Sequence, residues 1–117
     1  MHDDRSPEPG AVEVVSRFTG LRALVVGDAM LDSYLEGVAT RLCKEGPVPV
    51  VRRQATVRAP GGGANVAANL AALGAEVFFV SLVGRDEAGA ALRQALRDRG
   101  VSDRWLVDDP AVGTIHK

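Results

Sequence analysis

The sequence predicts an α/β fold: a mostly parallel sheet flanked by helices, with a small excursion of edge strands. Leu21–Val26 (LRALVV) and Glu76–Val83 (EVFFVSLV) are near-continuous apolar runs. That pattern suits strands of a parallel sheet covered on both faces. Helical patterns lie at Ala64–Leu73 and Asp86–Arg99, each followed by glycine, Gly74 and Gly100. Strand and helix therefore alternate, as they do when helices connect parallel strands.

Residues 1–10 (MHDDRSPEPG) hold three acids, two prolines and no apolar core, which predicts a disordered tail. A secretory signal needs a basic start and then an apolar segment, and neither is present here. Ala11–Phe18 predicts a short helix ended by Gly20. After Leu21–Val26, Gly27-Asp28 closes the first strand. Residues 33–56 then depart from the pattern, with Pro47 and Pro49 at alternate positions. Proline cannot donate to a central ladder, so this stretch predicts edge strands leaving the main sheet. It returns through Thr56–Ala59 to Gly61-Gly62-Gly63 and the helix Ala64–Leu73. In that helix Val66, Leu70 and Leu73 share a face, and alanines permit close packing. Asp86 and Glu87 open the second helix and Arg97 and Arg99 close it, in accord with its dipole. Arg104–Val107 predicts a short strand, Asp108-Asp109-Pro110 a turn, and Thr114–Lys117 the start of another strand.

With 46 % apolar and 25 % charged residues, the composition is that of a folded domain. A net charge of −1 supplies no general attraction to nucleic acid or to an anionic membrane. The lone cysteine, Cys43, excludes an internal disulfide and fits a reducing, cytoplasmic setting.

Several residues invite chemical readings. The glycine run opening a helix suits either a tight turn or a backbone surface that a ligand can approach. It is not a P-loop, since no Gly-Lys-Ser/Thr occurs. A dinucleotide fingerprint beginning at Gly61 would need glycine or alanine at position 66, which is Val66. Asn65, in the first turn, can serve a sugar hydroxyl or a local cap. Asp28 and Asp32 follow the first strand, the end of an open α/β sheet where ligands bind. A turn or cap role is favoured for Asp28, and Asp32 is the better ligand candidate. His2 and His116 lack metal-ligand spacing, and Cys43 has no visible relay.

Taken together, these residues resemble the pfkB/ribokinase family of sugar kinases. The likeness is carried by Gly61-Gly62-Gly63-Ala64-Asn65-Val66-Ala67 followed by Gly74 and Gly84. Gly84-Arg85-Asp86-Glu87-Ala88-Gly89 resembles the family's G-x-D-x-x-G, and Val25–Asp32 resembles its first strand and sugar-binding aspartate. Gly27–Tyr34 and Glu45–Val51 are most similar to the heptose 7-phosphate kinase domain of bifunctional ADP-heptose synthesis proteins. That subfamily usually has Ser-Pro-Glu-Ala where this chain has Cys43-Lys44-Glu45-Gly46.

The resemblance implies ATP-dependent, Mg²⁺-assisted phosphoryl transfer to a hydroxyl of a sugar or sugar phosphate. It implies sugar binding by Asp32, Gly62, Gly63 and Asn65, a lid over residues 33–56, and a homodimer formed through that lid. The family's Gly-Ala-Gly-Asp motif, which carries the catalytic aspartate, does not occur here. The expectation is therefore that residues 11–117 are the N-terminal portion of a kinase domain, with no catalytic residue in this chain. On that reading the nucleotide and metal groups lie downstream, and the chain alone is inactive. The alternative is a truncated, non-catalytic module for sugar-phosphate binding or dimerisation.

Overall fold

A computed structural model describes residues 10–117, so all but the last residue of the expected tail lies outside the described residues. The elements in chain order are α1 (Ala11–Ser16), β1 (Arg22–Val26), β2 (Ala29–Leu42), β3 (Pro49–Gly62), α2 (Gly63–Ala72), β4 (Glu76–Val83), α3 (Glu87–Arg97), β5 (Leu106–Asp108) and β6 (Ile115–His116). They form two three-stranded sheets. One is parallel, in the order β1-β4-β5, and the other has the order β3-β2-β6.

The core lies between the parallel sheet and its helices. Phe79 is fully buried at its centre, with Ala64 and Ala67 of α2 and Leu92 and Leu96 of α3 in the same cluster. Alanine on the buried side of α2 lets that helix lie close to β4, so Gly63 sits directly against the Phe79 ring. Gly74 follows α2 with φ +100°, and its N–H donates to Ala71 O at 2.9 Å, so glycine ends the helix as the sequence implies.

The parallel strands are not buried on both faces, contrary to the expectation from their apolar runs. Ala23, Val25, Val77, Phe79 and Val83 turn toward the helices, whereas Leu24 and Val26 remain 68 % and 72 % exposed. Topology explains this. The steps β1→β4 and β4→β5 run in the same direction across the sheet. Right-handed connections stepping one way place their helices on one face. The opposite face presents Leu24, Val26, Phe78, Leu82, Trp105 and Val107. Trp105 packs edge-on to Phe78, with ring centroids 6.3 Å apart.

The edge-strand excursion is longer than expected. β2 and β3 pair antiparallel from Ala29↔Gly62 out to Leu42↔Pro49. Fourteen residues a side make a ribbon about 45 Å long. Register shifts at Glu36/Gly37 and Ala39/Arg41 bend it. At the first of these, a Cβ on Gly37 would stand 2.4 Å from Arg52 O. β3 is an edge strand and Pro49 is its first residue, both as proline requires. Pro47 lies in the connecting turn, where Cys43 N–H donates to Val48 O at 2.8 Å. The base of β2 is not at an edge, because Met30 and Leu31 also pair in parallel with Ile115 and His116. The expected third strand, Arg104–Val107, is shifted to Leu106–Asp108.

The open face yields a prediction. Contiguous apolar surface of this kind drives association. The 117-residue chain should show concentration-dependent self-association in sedimentation velocity, and Leu24→Lys should reduce it. A monomer at all concentrations would count against an accessible apolar face.

Candidate sugar-binding site

The site is built where the ribbon joins α2. Asp32 is on β2, two residues beyond the fully buried Leu31's neighbour Met30, and is half-buried. Its carboxylate lies against Gly61 on β3: a Cβ built there would stand 2.5 Å from Asp32 Oδ2. Gly62 has φ +57° and ψ −132°, a backbone that side chains rarely adopt. A Cβ on Gly62 would also stand 2.7 Å from Asp28 O. Gly63 N–H donates to that same Asp28 carbonyl at 2.8 Å, and a Cβ on Gly63 would stand 3.1 Å from the Phe79 ring. Asn65 follows in the first turn of α2 and is exposed.

Of the expected residues, Asp32 is thus held beside the glycine run, with Gly62 and Gly63 forming the turn and Asn65 entering the helix. Asp28 serves the turn through its carbonyl, while its side chain stays exposed. A cavity of about 310 Å³ opens where β1 and β4 end, lined by Gly27, Asp28, Ala29, Ser81, Val107 and Ile115 among others. Asp32, Gly62, Gly63 and Asn65 do not line it. Ser81 Oγ accepts a hydrogen bond from Ala29 N–H at 2.9 Å and so ties the start of the ribbon to the parallel sheet.

Several contacts were not foreseen from sequence. Asp86 is the N-cap of α3, not a residue of its first turn. Its Oδ1 accepts from Gly89 N–H at 2.7 Å and its Oδ2 from Thr114 N–H at 2.8 Å. The Thr114 N–H, then its hydroxyl, then the Gly89 N–H hold the Asp86 carboxyl below the usual carboxylate range. Thr114 Oγ1 in turn accepts from Gly84 N–H at 3.0 Å. His116 Nε2 lies 2.7 Å from Ser33 Oγ. Arg97, placed by the sequence in the last turn of the helix, bonds Asp103 Oδ2 at 2.6 Å. The G-x-D-x-x-G spacing was the available signal for Asp86, but its distant partner Thr114 could not be read from it.

Among the described residues, no group of three or more His, Cys, Asp or Glu side chains could hold a metal ion. No helix among the described residues is long and apolar enough to cross a membrane.

The fold is that of a ribokinase-like α/β protein, and comparison with solved structures agrees. A putative ribokinase from Agrobacterium tumefaciens superposes with a TM-score of 0.65 at 23 % identity, over 81 % of this chain and 30 % of its own. Aminoimidazole riboside kinase from Salmonella enterica, solved with aminoimidazole riboside and an ATP analogue, matches with a TM-score of 0.57 and 31 % identity, over 79 % of this chain and 26 % of its own. A fructokinase with bound ATP from Xylella fastidiosa also gives 0.57, at 26 % identity over 80 % of this chain and 25 % of its own. The profile of the pfkB family of carbohydrate kinases matches residues 21–115, and the chain belongs to that family. Among curated relatives, the bifunctional protein HldE of Nitrosococcus oceani is 52 % identical over 84 residues, 72 % of this chain and 18 % of the relative. HldE of Caulobacter vibrioides is 45 % identical over 100 residues, 86 % of this chain and 21 % of the relative. The chain spans about a fifth of the length of these relatives.

The glycine run makes a graded prediction. Gly62→Ala meets a backbone carbonyl and a left-handed φ, and should destabilise folding by about 1–3 kcal/mol. Gly61→Ala meets the end of a side chain that can turn aside, so it should cost less than about 1 kcal/mol while displacing Asp32. Urea unfolding of both variants checks the order, and the reverse order would refute it.

Proposed function

We propose that this chain is the sugar-binding part of an ATP-dependent carbohydrate kinase that phosphorylates a hydroxyl of a sugar phosphate, with heptose 7-phosphate as the first substrate to test. The observation that carries this reading is the Asp32 carboxylate set against the glycine run beyond the first strand, in a chain of the pfkB family. A carboxylate there accepts hydrogen bonds from neighbouring hydroxyls. Gly62 and Gly63 leave the backbone open to a sugar, and the Asn65 amide can both donate and accept. The likeness of Gly27–Tyr34 and Glu45–Val51 to heptose kinases, and relatives named bifunctional protein HldE, support the choice of sugar.

ATP and Mg²⁺ belong to the whole enzyme on this reading. This chain's own contribution is to bind and orient the acceptor sugar, which is a large part of catalysis when transfer depends on positioning. The β2–β3 ribbon is the lid and the contact between two subunits; Tyr34, Leu35, Val38 and Val51 are exposed along it. The single cysteine agrees with a cytoplasmic setting.

The test is sugar-dependent ATP consumption by the full-length protein that contains this segment, against a panel of sugar phosphates. Losing one buried hydrogen bond to a ligand costs about 1–3 kcal/mol, so Asp32→Ala should lower kcat/KM for the sugar about tenfold or more and leave KM for ATP nearly unchanged. Unaltered sugar kinetics in that variant would sink the role given to Asp32.

A further inference from the structure

Asp86 makes a contact that capping alone does not need. Gly89 N–H, three residues on, satisfies the N-cap role. The bond from Thr114 N–H reaches 28 residues along the chain and fixes the segment that leads directly into β6. β6 and the residue after it then hold β2 on either side of Asp32. Lys117 N–H donates to Leu31 O at 2.9 Å, Ser33 N–H donates to Lys117 O at 2.7 Å, and Ser33 Oγ meets His116 Nε2 at 2.7 Å. On the other flank, Ala59 faces Asp32 across the ribbon, and its neighbour Arg58 pairs with Glu87 at 3.1 Å. That second link joins two exposed side chains, and pairs of that kind contribute little.

The glycines of the motif make room for this arrangement. A Cβ on Gly84 would stand 2.6 Å from Asp86 Oδ2 and from Val112 O, and one on Gly89 would stand 2.4 Å from Gly84 O. The spacing G-x-D-x-x-G is thereby accounted for by a carboxylate that bonds one backbone N–H three residues on and another 28 residues on.

We infer that Asp86 is a positioning residue for Asp32: through Thr114 it holds β6 against β2, and so holds the Asp32 carboxylate where the sugar binds. The inference rests on the sugar-kinase reading for its consequence, though not for its geometry.

Asp86→Ser separates the two duties. A serine hydroxyl can still accept from Gly89 N–H as an N-cap, but it has no second oxygen for Thr114. In the full-length protein, amide exchange at Ser33, Thr114 and Lys117 should accelerate about tenfold or more, with exchange in the middle of α3 within about twofold of the parent. KM for the sugar should rise about tenfold, while KM for ATP stays within about twofold. Asp86→Asn provides a second variant: once its oxygen serves Gly89, its NH₂ faces the Thr114 N–H, donor against donor, and the same split should appear. Unchanged exchange at Ser33 and Lys117 in both variants would overturn the inference. So would faster exchange there with an unchanged KM for the sugar, or equal losses for sugar and ATP. A parent protein with no sugar-dependent ATP consumption would instead overturn the kinase reading, and the exchange data would still decide whether Asp86 holds β2.

Discussion

The structure depends on one crowded crossing, where the chain leaves the ribbon and enters α2. At three adjacent residues there a side chain would be crowded, each for a different reason. Gly61 lies under the Asp32 carboxylate, Gly62 takes a left-handed backbone against Asp28 O, and Gly63 is pressed between that carbonyl and the Phe79 ring. Phe79 is the centre of the core, so the turn is anchored to the largest fully buried side chain among the described residues. Because the same turn carries the Asp32 contact on its other side, core packing and site geometry share one piece of backbone. Tight packing transmits small displacements instead of absorbing them. A shift of β4 at Phe79 therefore reaches the glycine run without an intermediate.

The parts of the fold written in local pattern were legible. Gly74 ends α2 and Gly100 follows α3, each with positive φ, and β4 matches the apolar run Glu76–Val83 residue for residue. The prolines correctly marked β3 as an edge. Their limit was spatial: proline tells which strand lacks a neighbour on one side, not how far the ribbon runs. β2 and β3 continue to Ala29 and Gly62 because their bases pair where the sheet meets the glycine turn. Nothing in residues 33–56 alone encodes that junction.

The failures share a cause. An apolar run such as LRALVV says that a strand can be buried on both faces; whether it is depends on where helices from elsewhere in the sequence are placed. Here the order β1-β4-β5 puts α2 and α3 on one side. Asp86 is the same problem in miniature. Its sequence context announces an N-cap, and the nearby Gly89 N–H fulfils it, but the carboxylate's second oxygen is used by Thr114 across the fold. The sequence singles out Asp32 by type and place as a candidate, yet its immediate surroundings depend on Gly61, which stands out only as part of a glycine run.

The two sheets also divide the labour mechanically. The parallel sheet is backed by two helices and a buried core, and the ribbon has no such backing along most of its length. A two-stranded antiparallel ribbon alone is only marginally stable in water, so its outer part can move on a base that cannot. The base is held by Ser81 to Ala29, by Asp28 O to Gly63, and by β6 to Met30 and Leu31. Asp32 lies just beyond the last of these pairings, with Ser33 still bonded to Lys117 and the residues from Tyr34 outward exposed. A carboxylate at this boundary sits on the tied-down base while the strand that carries it continues into the exposed ribbon. On the function proposed above, that is the placement a closing lid would require if closure were to complete the site without disturbing Asp32.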